Sequence, residues 1–433
     1  MDVSTIGLIV AVLMLVLLAS GVWVAVTLMS VGLISMLLFS HAPATTIQAT
    51  VIWGQSSSWA LTALPLFIWM GEILYRTRLA KDMFEGLSPW LAGFPGRLIH
   101  INVVSCGIFA AVSGSSAATT ATIGRITVPE LLKRGYDEKT TIGSLAGSST
   151  LGFLIPPSII MIVYGVAADV SITRLFIAGI LPGIMLMILF MGYLAIWSAL
   201  NPSKVPPREP RIPFLKRIRE TAKLFPIILL MIAVIGSIYL GIATATEAAA
   251  VGVVGALLIA LFTGSMTKQN FIDSVLGATR TSVMVSFILA GAAFLSTAMG
   301  FTGIPRELSA WVGTLNLDKF ELLLALTVLF IILGCFLDGI SIVVLTAAVI
   351  MPIVLQAGID PIWFGIFIVV LIEMSQITPP VGINLFILQS ITGKNLWEVS
   401  VAAFPFFLLL IVATLLLILF PEIATWLPDT IRK

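Results

Sequence analysis

The sequence predicts an all-α polytopic membrane protein built on an inverted repeat with two re-entrant helical hairpins. Three observations support this fold class. Of the 433 residues, 59% are apolar and only 10% are charged, against about 25% charged in an average soluble domain. Apolar runs long enough to cross a hydrocarbon core about 30 Å thick recur along the whole chain. Two stretches of sequence also match each other at one fixed offset.

The predicted spans are apolar runs bounded by charged residues, Gly or Pro. The first run, Ile6–Ser40, is either two short spans that turn near Ser20-Gly21 or one long tilted span. The other uninterrupted spans are Ser58–Tyr75, Thr140–Val166, Arg174–Leu200, Leu224–Leu240, Ala248–Thr263, Ser274–Met299, Ile362–Ile391 and Val401–Ile423.

Two further apolar regions are too long for one crossing and are interrupted near the middle. Leu98–Leu132 breaks at Ser113-Gly114-Ser115-Ser116, and Phe320–Leu355 breaks at Asp338-Gly339. A continuous helix of about 35 residues would be about 52 Å long, whereas each half has the length of one hairpin arm. Each region is therefore predicted to be a re-entrant hairpin. The broken backbone must face protein or a wet cavity, because lipid offers it no hydrogen-bond partner.

The distribution of Lys and Arg predicts the orientation of the chain in the membrane. The stretch Asn201–Lys223 carries seven basic residues and is therefore predicted to be cytoplasmic. The stretches Asp169–Thr173 and Thr302–Asp318 then fall on the periplasmic side.

Several landmarks repeat at one offset of 223 residues. The matched pairs are Pro129 and Pro352, Asp137 and Asp360, Pro156 and Pro379, and the two break residues Ser115 and Asp338. Five predicted spans, Thr140 through Met299, separate the two hairpins. An odd number of spans turns the second unit upside down, which gives the inverted repeat typical of many secondary transporters. The alternative is a parallel duplication with one miscounted span.

The span after each hairpin also contains a break, at a pair of adjacent prolines. Pro156-Pro157 follows the run Gly147–Gly152, and Pro379-Pro380 follows Glu373–Thr378. Adjacent prolines remove two N–H donors and leave nearby carbonyls without helical partners. Together with Ser and Thr hydroxyls, these carbonyls form a cluster of oxygen atoms of the kind that a hard cation such as Na⁺ prefers. A kinked helix without an ion is the alternative interpretation.

The motifs at these breaks resemble those of the large membrane subunit of tripartite ATP-independent periplasmic (TRAP) transporters. The matching stretches are Ser113-Gly114-Ser115-Ser116, Ile155-Pro156-Pro157-Ser158-Ile159, Thr244-Ala245-Thr246-Glu247-Ala248-Ala249-Ala250, Leu337-Asp338 and Ile377-Thr378-Pro379-Pro380-Val381-Gly382-Ile383-Asn384-Leu385. The resemblance covers nearly the whole chain. It implies an elevator-type, sodium-coupled importer of an organic anion, such as a C4-dicarboxylate or a sugar acid, in a bacterial inner membrane.

The same resemblance implies two protein partners. One is a small membrane subunit of four helices, and the other is a soluble periplasmic substrate-binding protein. Two or more Na⁺ ions are expected as coupling ions, and no organic cofactor and no nucleic acid is expected.

Two Na⁺ sites are predicted, one per repeat, each between a hairpin tip and the Pro-Pro break of the following span. The first site would use Ser113, Gly114, Ser115, Gly152 and Pro156, and the second would use Asp338, Gly339, Thr378 and Pro379. The substrate-binding candidates are Ser116, Ser341, Asn384 and Arg125. Two alternatives stay open, namely that Asp338 is an N-cap of the returning helix and that Arg125 snorkels toward the cytoplasm.

The predicted organisation has five parts. Residues 1–95 hold N-terminal scaffold spans and an amphipathic arm, and 96–200 hold the first repeat with its hairpin. Residues 201–318 hold the basic loop and central connecting spans, 319–400 the second repeat with its hairpin, and 401–433 a C-terminal span. The two repeats together form the predicted transport domain.

Glu247 and Glu373 are predicted intramembrane carboxylates and are therefore functional candidates. For Glu247 the alternative is structural, because Thr244 and Thr246 beside it are typical of a helix start.

Three other classes of protein compete with this interpretation. A channel would have a filter-like motif and a single re-entrant unit. An intramembrane enzyme would need a nucleophile with its base, or a metal motif such as His-Glu-x-x-His, and the sequence has neither. The nearest alternative is a stand-alone sodium-coupled carboxylate carrier of the same architecture. Dependence on a soluble binding protein separates that carrier from a TRAP system.

Overall fold

The computed structural model describes residues 3–207, 213–315, 317–380 and 382–430, and every regular element in these ranges is helical. The first ten α-helices are α1 (Val3–Ala19), α2 (Val24–Phe39), α3 (Ala44–Ser56), α4 (Ala63–Tyr75), α5 (Leu79–Leu91), α6 (Ile101–Ser113), α7 (Ser116–Lys133), α8 (Glu138–Leu154), α9 (Ile159–Ala167) and α10 (Ile172–Leu200). The others are α11 (Phe214–Thr221), α12 (Phe225–Met231), α13 (Ser237–Tyr239), α14 (Ala245–Phe262), α15 (Lys268–Thr302), α16 (Ile304–Thr314), α17 (Lys319–Gly334), α18 (Gly339–Gln356), α19 (Pro361–Gln376), α20 (Ile383–Thr392), α21 (Leu396–Leu419) and α22 (Glu422–Thr430). The all-α prediction is confirmed.

Many of these helices are long and apolar enough to cross a membrane. Six qualify alone, and up to eight spans result if each sharply bent helix pair counts as one. The most apolar, α21, has 24 residues and a mean hydropathy of 2.9, where about 20 apolar residues suffice for a crossing. Short 3₁₀ and π segments join α11, α12 and α13 into one rod, Phe214–Tyr239. The chain is a multi-pass membrane protein.

The N-terminal apolar run folds as two helices, α1 and α2, which resolves the alternative left open by the sequence. The chain turns at Ser20-Gly21, where Gly21 has a φ of 80°. Glycine adopts this left-handed conformation without the steric cost that a Cβ atom would bring.

The landmarks of the repeat have the same structural role in both units. Gly135 and Gly358 each end a turn with a positive φ, 83° and 65°. Asp137 and Asp360 each cap the following helix, accepting a hydrogen bond from the backbone N–H three residues on, at 3.0 and 2.9 Å. The matched residues are therefore turn and cap signals, which explains why they keep one register.

Both predicted hairpins are present. The first hairpin is α6–α7 and the second is α17–α18. Each is followed by a helix broken at the Pro-Pro pair: the first broken span is α8–α9, and the second is α19–α20. Within the described part of the chain, five crossing elements separate the hairpins, namely α8–α9, α10, the α11–α13 rod, α14 and α15. This odd number makes the two repeats inverted.

The first halves of the two broken spans lie at the centre of the molecule. All 15 residues from Ile362 to Gln376 of α19 are buried, and α8 is buried along almost its whole length. The two helices pack against each other. The repeats therefore meet in the protein interior, shielded from lipid.

Five helices were not predicted as separate elements: α3, α5, α11, α16 and α22. They are short and mix apolar with polar residues, so a search for long apolar runs passes over them. α5 lies within residues 1–95, where the sequence predicts an amphipathic arm without giving its bounds, and it packs against α6 and α11. The last span ends at Leu419 rather than Ile423, because Glu422 begins α22.

The predicted orientation can be tested by labelling single cysteines in a background without Cys106 and Cys335. Lys216 and Ala310 are both exposed. We expect a membrane-impermeant thiol reagent, added to intact cells, to label the cysteine of Ala310→Cys. The cysteine of Lys216→Cys should react only after the cells are opened. Labelling in the reverse pattern would overturn the orientation derived from the basic residues.

Candidate substrate and ion sites at the hairpin tips

The first hairpin turns within two residues. α6 ends at Ser113, Gly114 takes a left-handed φ of 59°, and Ser115 is the N-cap of α7. The Ser115 hydroxyl oxygen accepts a hydrogen bond from the Ala118 N–H at 3.3 Å. Glycine permits the turn and serine satisfies a free N–H of the returning helix, so the Ser-Gly-Ser sequence encodes the tip.

This tip packs directly on the break of the first broken span. A Cβ atom on Gly152 would lie 2.7 Å from the Ser115 carbonyl carbon, and one on Gly114 would lie 2.7 Å from the Pro157 carbonyl oxygen. The Gly114 carbonyl also accepts a hydrogen bond from the Ile159 N–H at 3.2 Å. The structure thus brings Gly114, Ser115 and Gly152 of the predicted first ion site together.

A short chain of hydroxyl groups lies behind the first tip. The Thr119 hydroxyl donates to the Ser115 carbonyl at 2.8 Å, and the Ser113 hydroxyl lies 3.0 Å from the Thr119 oxygen. A hydroxyl has one proton, so Ser113 donates to Thr119, and the Ser113 oxygen accepts from the Ser115 N–H at 3.4 Å. The sequence analysis missed Thr119, although its place four residues after Ser115 on a helix was a usable signal.

The second tip is built around Asp338. Its carboxylate caps α18, accepting from the N–H groups of Ile340 at 3.1 Å and Ser341 at 3.4 Å, and from the Ser341 hydroxyl. The N-cap alternative for Asp338 is therefore observed. The predicted substrate-binding residue Ser341 is buried and held by the same carboxylate.

The second tip contacts both repeats. A Cβ on Gly339 would lie 2.5 Å from the Ile372 side chain of α19 and 3.2 Å from that of Ile160 in α9. A Cβ on Gly334 would lie 2.2 Å from the Ser375 Cβ. Each tip thus packs on the first half of its own broken span, which is α8 for the first tip and α19 for the second. The second tip also touches α9, the second half of the first broken span.

The second break is more open than the first. Pro156 and Pro157 are buried, whereas Pro379 is exposed. Thr378 donates its hydroxyl to the Met374 carbonyl at 2.6 Å. Thr378 and Pro379 line a cavity of about 530 Å³, together with Lys139, Trp397 and Phe404 among others.

The structure does not join the members of the predicted second ion site as closely as those of the first. Within the described ranges, no hydrogen bond links Asp338 or Gly339 to Thr378 or Pro379. The contacts of this tip with its broken span run through Ile372 and Ser375 instead. Both ion sites stay predictions, and the observed contacts bring the members of the first closer together than those of the second.

Asn384 links the two repeats. Its amide donates to the Ser116 hydroxyl at 2.7 Å and to the Ser149 hydroxyl at 3.1 Å, and the side chain is fully buried. Two predicted substrate-binding residues thus meet at the first tip. Ser149 was not singled out as a ligand, although it lies in the Ser-rich run before the first break. The fourth candidate, Arg125, has an exposed side chain on α7.

Glu247 has a structural position. It forms a capping box with Thr244 at the start of α14: the Thr244 N–H donates to the Glu247 carboxylate at 2.8 Å, and the Glu247 N–H donates to the Thr244 hydroxyl at 3.3 Å. This is the helix-start alternative.

Duplicated, inverted hairpins whose tips rest on broken membrane helices are the architecture of secondary transporters. A family model described as "Tripartite ATP-independent periplasmic transporter, DctM component" matches residues 11–423. The chain belongs to this family and is a TRAP transporter large permease.

Three similar proteins illustrate the range of the family. The C4-dicarboxylate TRAP transporter large permease protein DctM of Pseudomonas aeruginosa is 33% identical, over 92% of this chain and 92% of that protein. The ectoine/5-hydroxyectoine TRAP transporter large permease protein UehC of Ruegeria pomeroyi is 33% identical, over 86% of each. The isethionate TRAP transporter permease protein DctMQ of Oleidesulfovibrio alaskensis is 32% identical, over 87% of this chain but only 59% of that longer protein.

A solved structure shares the fold. The Alcanivorax borkumensis YdaH transporter, whose crystal structure is described as having an unusual topology, aligns with a TM-score of 0.68. The alignment covers 94% of this chain and 98% of that one, at 14% sequence identity. At this identity the likeness bears on the fold alone.

Proposed function

We propose that this permease imports an organic anion driven by a sodium gradient, and that a periplasmic binding protein delivers the anion. The observation that carries the proposal is the pair of hairpin tips, each packed on a broken membrane helix, with Asn384 bridging Ser116 and Ser149 beside the first tip. Broken helices at membrane depth supply backbone dipoles and carbonyls to ions and anions. The likeness to the C4-dicarboxylate permease supports a small carboxylate as substrate.

The substrate class is a small organic acid, such as a C4-dicarboxylate or a sugar acid. The similar permeases are named for C4-dicarboxylates, isethionate and ectoine, and each of these compounds carries an anionic carboxylate or sulfonate group. Both N–H donors of the Asn384 amide are engaged by Ser116 and Ser149, so the Ser116 hydroxyl is the uncharged group that would donate a hydrogen bond to either anion.

Coupling ions would bind at the two tips. The first Na⁺ site is proposed at Ser113, Gly114, Ser115, Gly152 and Pro156, and the second at Asp338, Gly339, Thr378 and Pro379. Ligands of both sites are oxygen atoms, and most of them are backbone carbonyls. The two repeats would move as one transport domain against the remaining helices, in an elevator-type cycle.

Two protein partners complete the proposed system in the bacterial inner membrane. One is a small membrane subunit of four helices. The permease DctMQ supports this, because a large part of that protein lies outside the region that this chain matches. The other is a soluble binding protein in the periplasm, the compartment named by the family.

A reconstitution experiment tests the proposal. The permease is placed in liposomes with its small subunit, and uptake of a labelled dicarboxylate is measured with and without the binding protein and with Na⁺ or choline outside. We expect uptake only when both the binding protein and the Na⁺ gradient are present, because no other component delivers substrate or energy. Sodium-driven uptake without a binding protein would instead identify a stand-alone carboxylate carrier.

A further inference from the structure

Glu373 is an intramembrane carboxylate that the proposed sites do not use. It is the only charged residue of α19, and its exposed fraction is 0%. Neither carboxylate oxygen has a hydrogen-bond partner within the described ranges. A carboxyl group in this position needs a compensating charge or a proton, because an ionised group without a partner is far more costly to bury than a neutral one.

The first repeat has no charge at the equivalent position. The offset of 223 residues pairs Glu373 with Thr150, and each lies six residues before its Pro-Pro pair. The Thr150 hydroxyl donates to the Gly147 carbonyl at 2.7 Å, so it is satisfied within its own helix. Of these two equivalent positions, therefore, only the one in the second broken span carries a buried titratable side chain.

Among the residues that the structure describes, no charged side chain compensates Glu373. The backbone of Leu154 is near enough to interact with the carboxyl group, but no charged group does so, and no donor reaches hydrogen-bond geometry. The charged residues on the helices packed against α19, and at the adjoining tip, are Glu138, Lys139, Arg174, Lys319, Glu321, Asp338, Glu398, Glu422 and Asp429.

All of these charged residues lie at helix ends. Asp360 caps the start of α19 through the Trp363 N–H, 13 residues before Glu373. Asp338 caps α18 and holds the Ser341 hydroxyl. Others pair with each other near the ends of the helices, as Arg174 does with Asp429 at 3.1 Å. The neutralising species at Glu373 must therefore be small and come from outside the chain.

A proton fits this position better than a metal cation. A cation needs several oxygen ligands and a cavity, whereas the side chain is fully enclosed. A neutral carboxyl group needs only one acceptor for its O–H. Gln376, three residues further along α19, offers one: its side-chain oxygen is buried without a partner, and residues three apart share a helix face.

We propose that Glu373 is a proton-binding site of the transport domain, occupied by a proton in the conformation described here. The site lies five residues before Thr378, which lines the open cavity of about 530 Å³ at the second break. A small movement of this break admits water to Glu373 and allows the proton to exchange. Loss of the proton leaves an uncompensated charge in the core, so transport slows at alkaline pH.

Infrared spectroscopy of the full chain in lipid nanodiscs tests the occupancy without any transport assay. We expect wild-type protein at neutral pH to show the carbonyl stretch of a protonated carboxylic acid, with the band absent from Glu373→Gln and shifted but present in Glu373→Asp. Absence of such a band from the wild-type protein would overturn the proposal. The measurement does not depend on sodium coupling or on a binding protein, so its outcome is separate from that of the proposed function.

Uptake by the complete reconstituted system tests whether loss of the proton from Glu373 slows transport. We expect wild-type uptake to fall at least about fivefold between about pH 6 and about pH 9, because the protonated population of a single group changes by at most about tenfold per pH unit. Uptake by Glu373→Gln should change less than about twofold over the same range. Thr150→Val is the matched control and should keep the wild-type pH profile. A Glu373→Gln profile that follows the wild type would refute the proposal.

Discussion

Gly152→Ala is expected to abolish most transport while leaving membrane insertion intact. The added methyl group would lie 2.7 Å from the Ser115 backbone, whereas ordinary contacts begin near 3.4 Å. Since the nearest atoms belong to the backbone of the tip and not to a flexible side chain, the first tip has to move away by about 0.7 Å or more. Misplacing reacting or binding groups by about 1 Å costs up to about 100-fold in activity. We therefore expect sodium-driven uptake to fall by about 10- to 100-fold, measured at matched protein levels.

Gly192→Ala is the matched control for this variant. Gly192 lies inside α10, and a Cβ atom there meets nothing within 4 Å. The same exchange should stabilise that helix by up to about 1 kcal/mol and leave uptake unchanged. Normal uptake by Gly152→Ala would show that the close packing of tip and broken span is not required for transport.

Much of the fold could be predicted because local signals encode it. A left-handed glycine and a capping serine encode the first tip, and paired prolines encode each break. These signals act over a few residues, so they are readable without knowledge of the neighbours. The repeat became visible for the same reason, since Asp137 and Asp360 cap equivalent helices.

The contacts between the repeats could not be predicted in the same way. Asn384 bonds to Ser116 across 268 residues of sequence, and the offset of 223 pairs Asn384 with Met161 rather than with any residue it touches. A repeat identifies equivalent positions, whereas contacts depend on how the units pack. The grouping of Asp338 with Thr378 in one ion site stays a prediction, since Asp338 caps its own helix and Thr378 bonds to the Met374 carbonyl.

Thr378→Val and Ser115→Ala are expected to weaken the sodium dependence of uptake. Each change removes one side-chain oxygen from a proposed Na⁺ site and keeps the approximate shape of the residue. Losing one ligand from a small oxygen cage should weaken the free energy of sodium binding by about 1–3 kcal/mol, the scale of an unsatisfied buried polar partner. This corresponds to a rise of about 5- to 150-fold in the sodium concentration that gives half-maximal uptake. The ion couples to transport only because it binds one conformation of the tips more tightly than the other.

Each variant also loses an ordinary hydrogen bond, so each needs its own control. Ser115→Ala removes an N-cap bond of 3.3 Å, and Ser171→Ala removes a cap bond of the same length at the start of α10. Thr378→Val removes a bond to the carbonyl four residues back, and Thr414→Val does the same in α21. We expect both controls to keep the wild-type sodium dependence, because neither residue lies at a hairpin tip or at a break. If Ser115→Ala and Thr378→Val also keep it at matched protein levels, the coupling ions bind elsewhere.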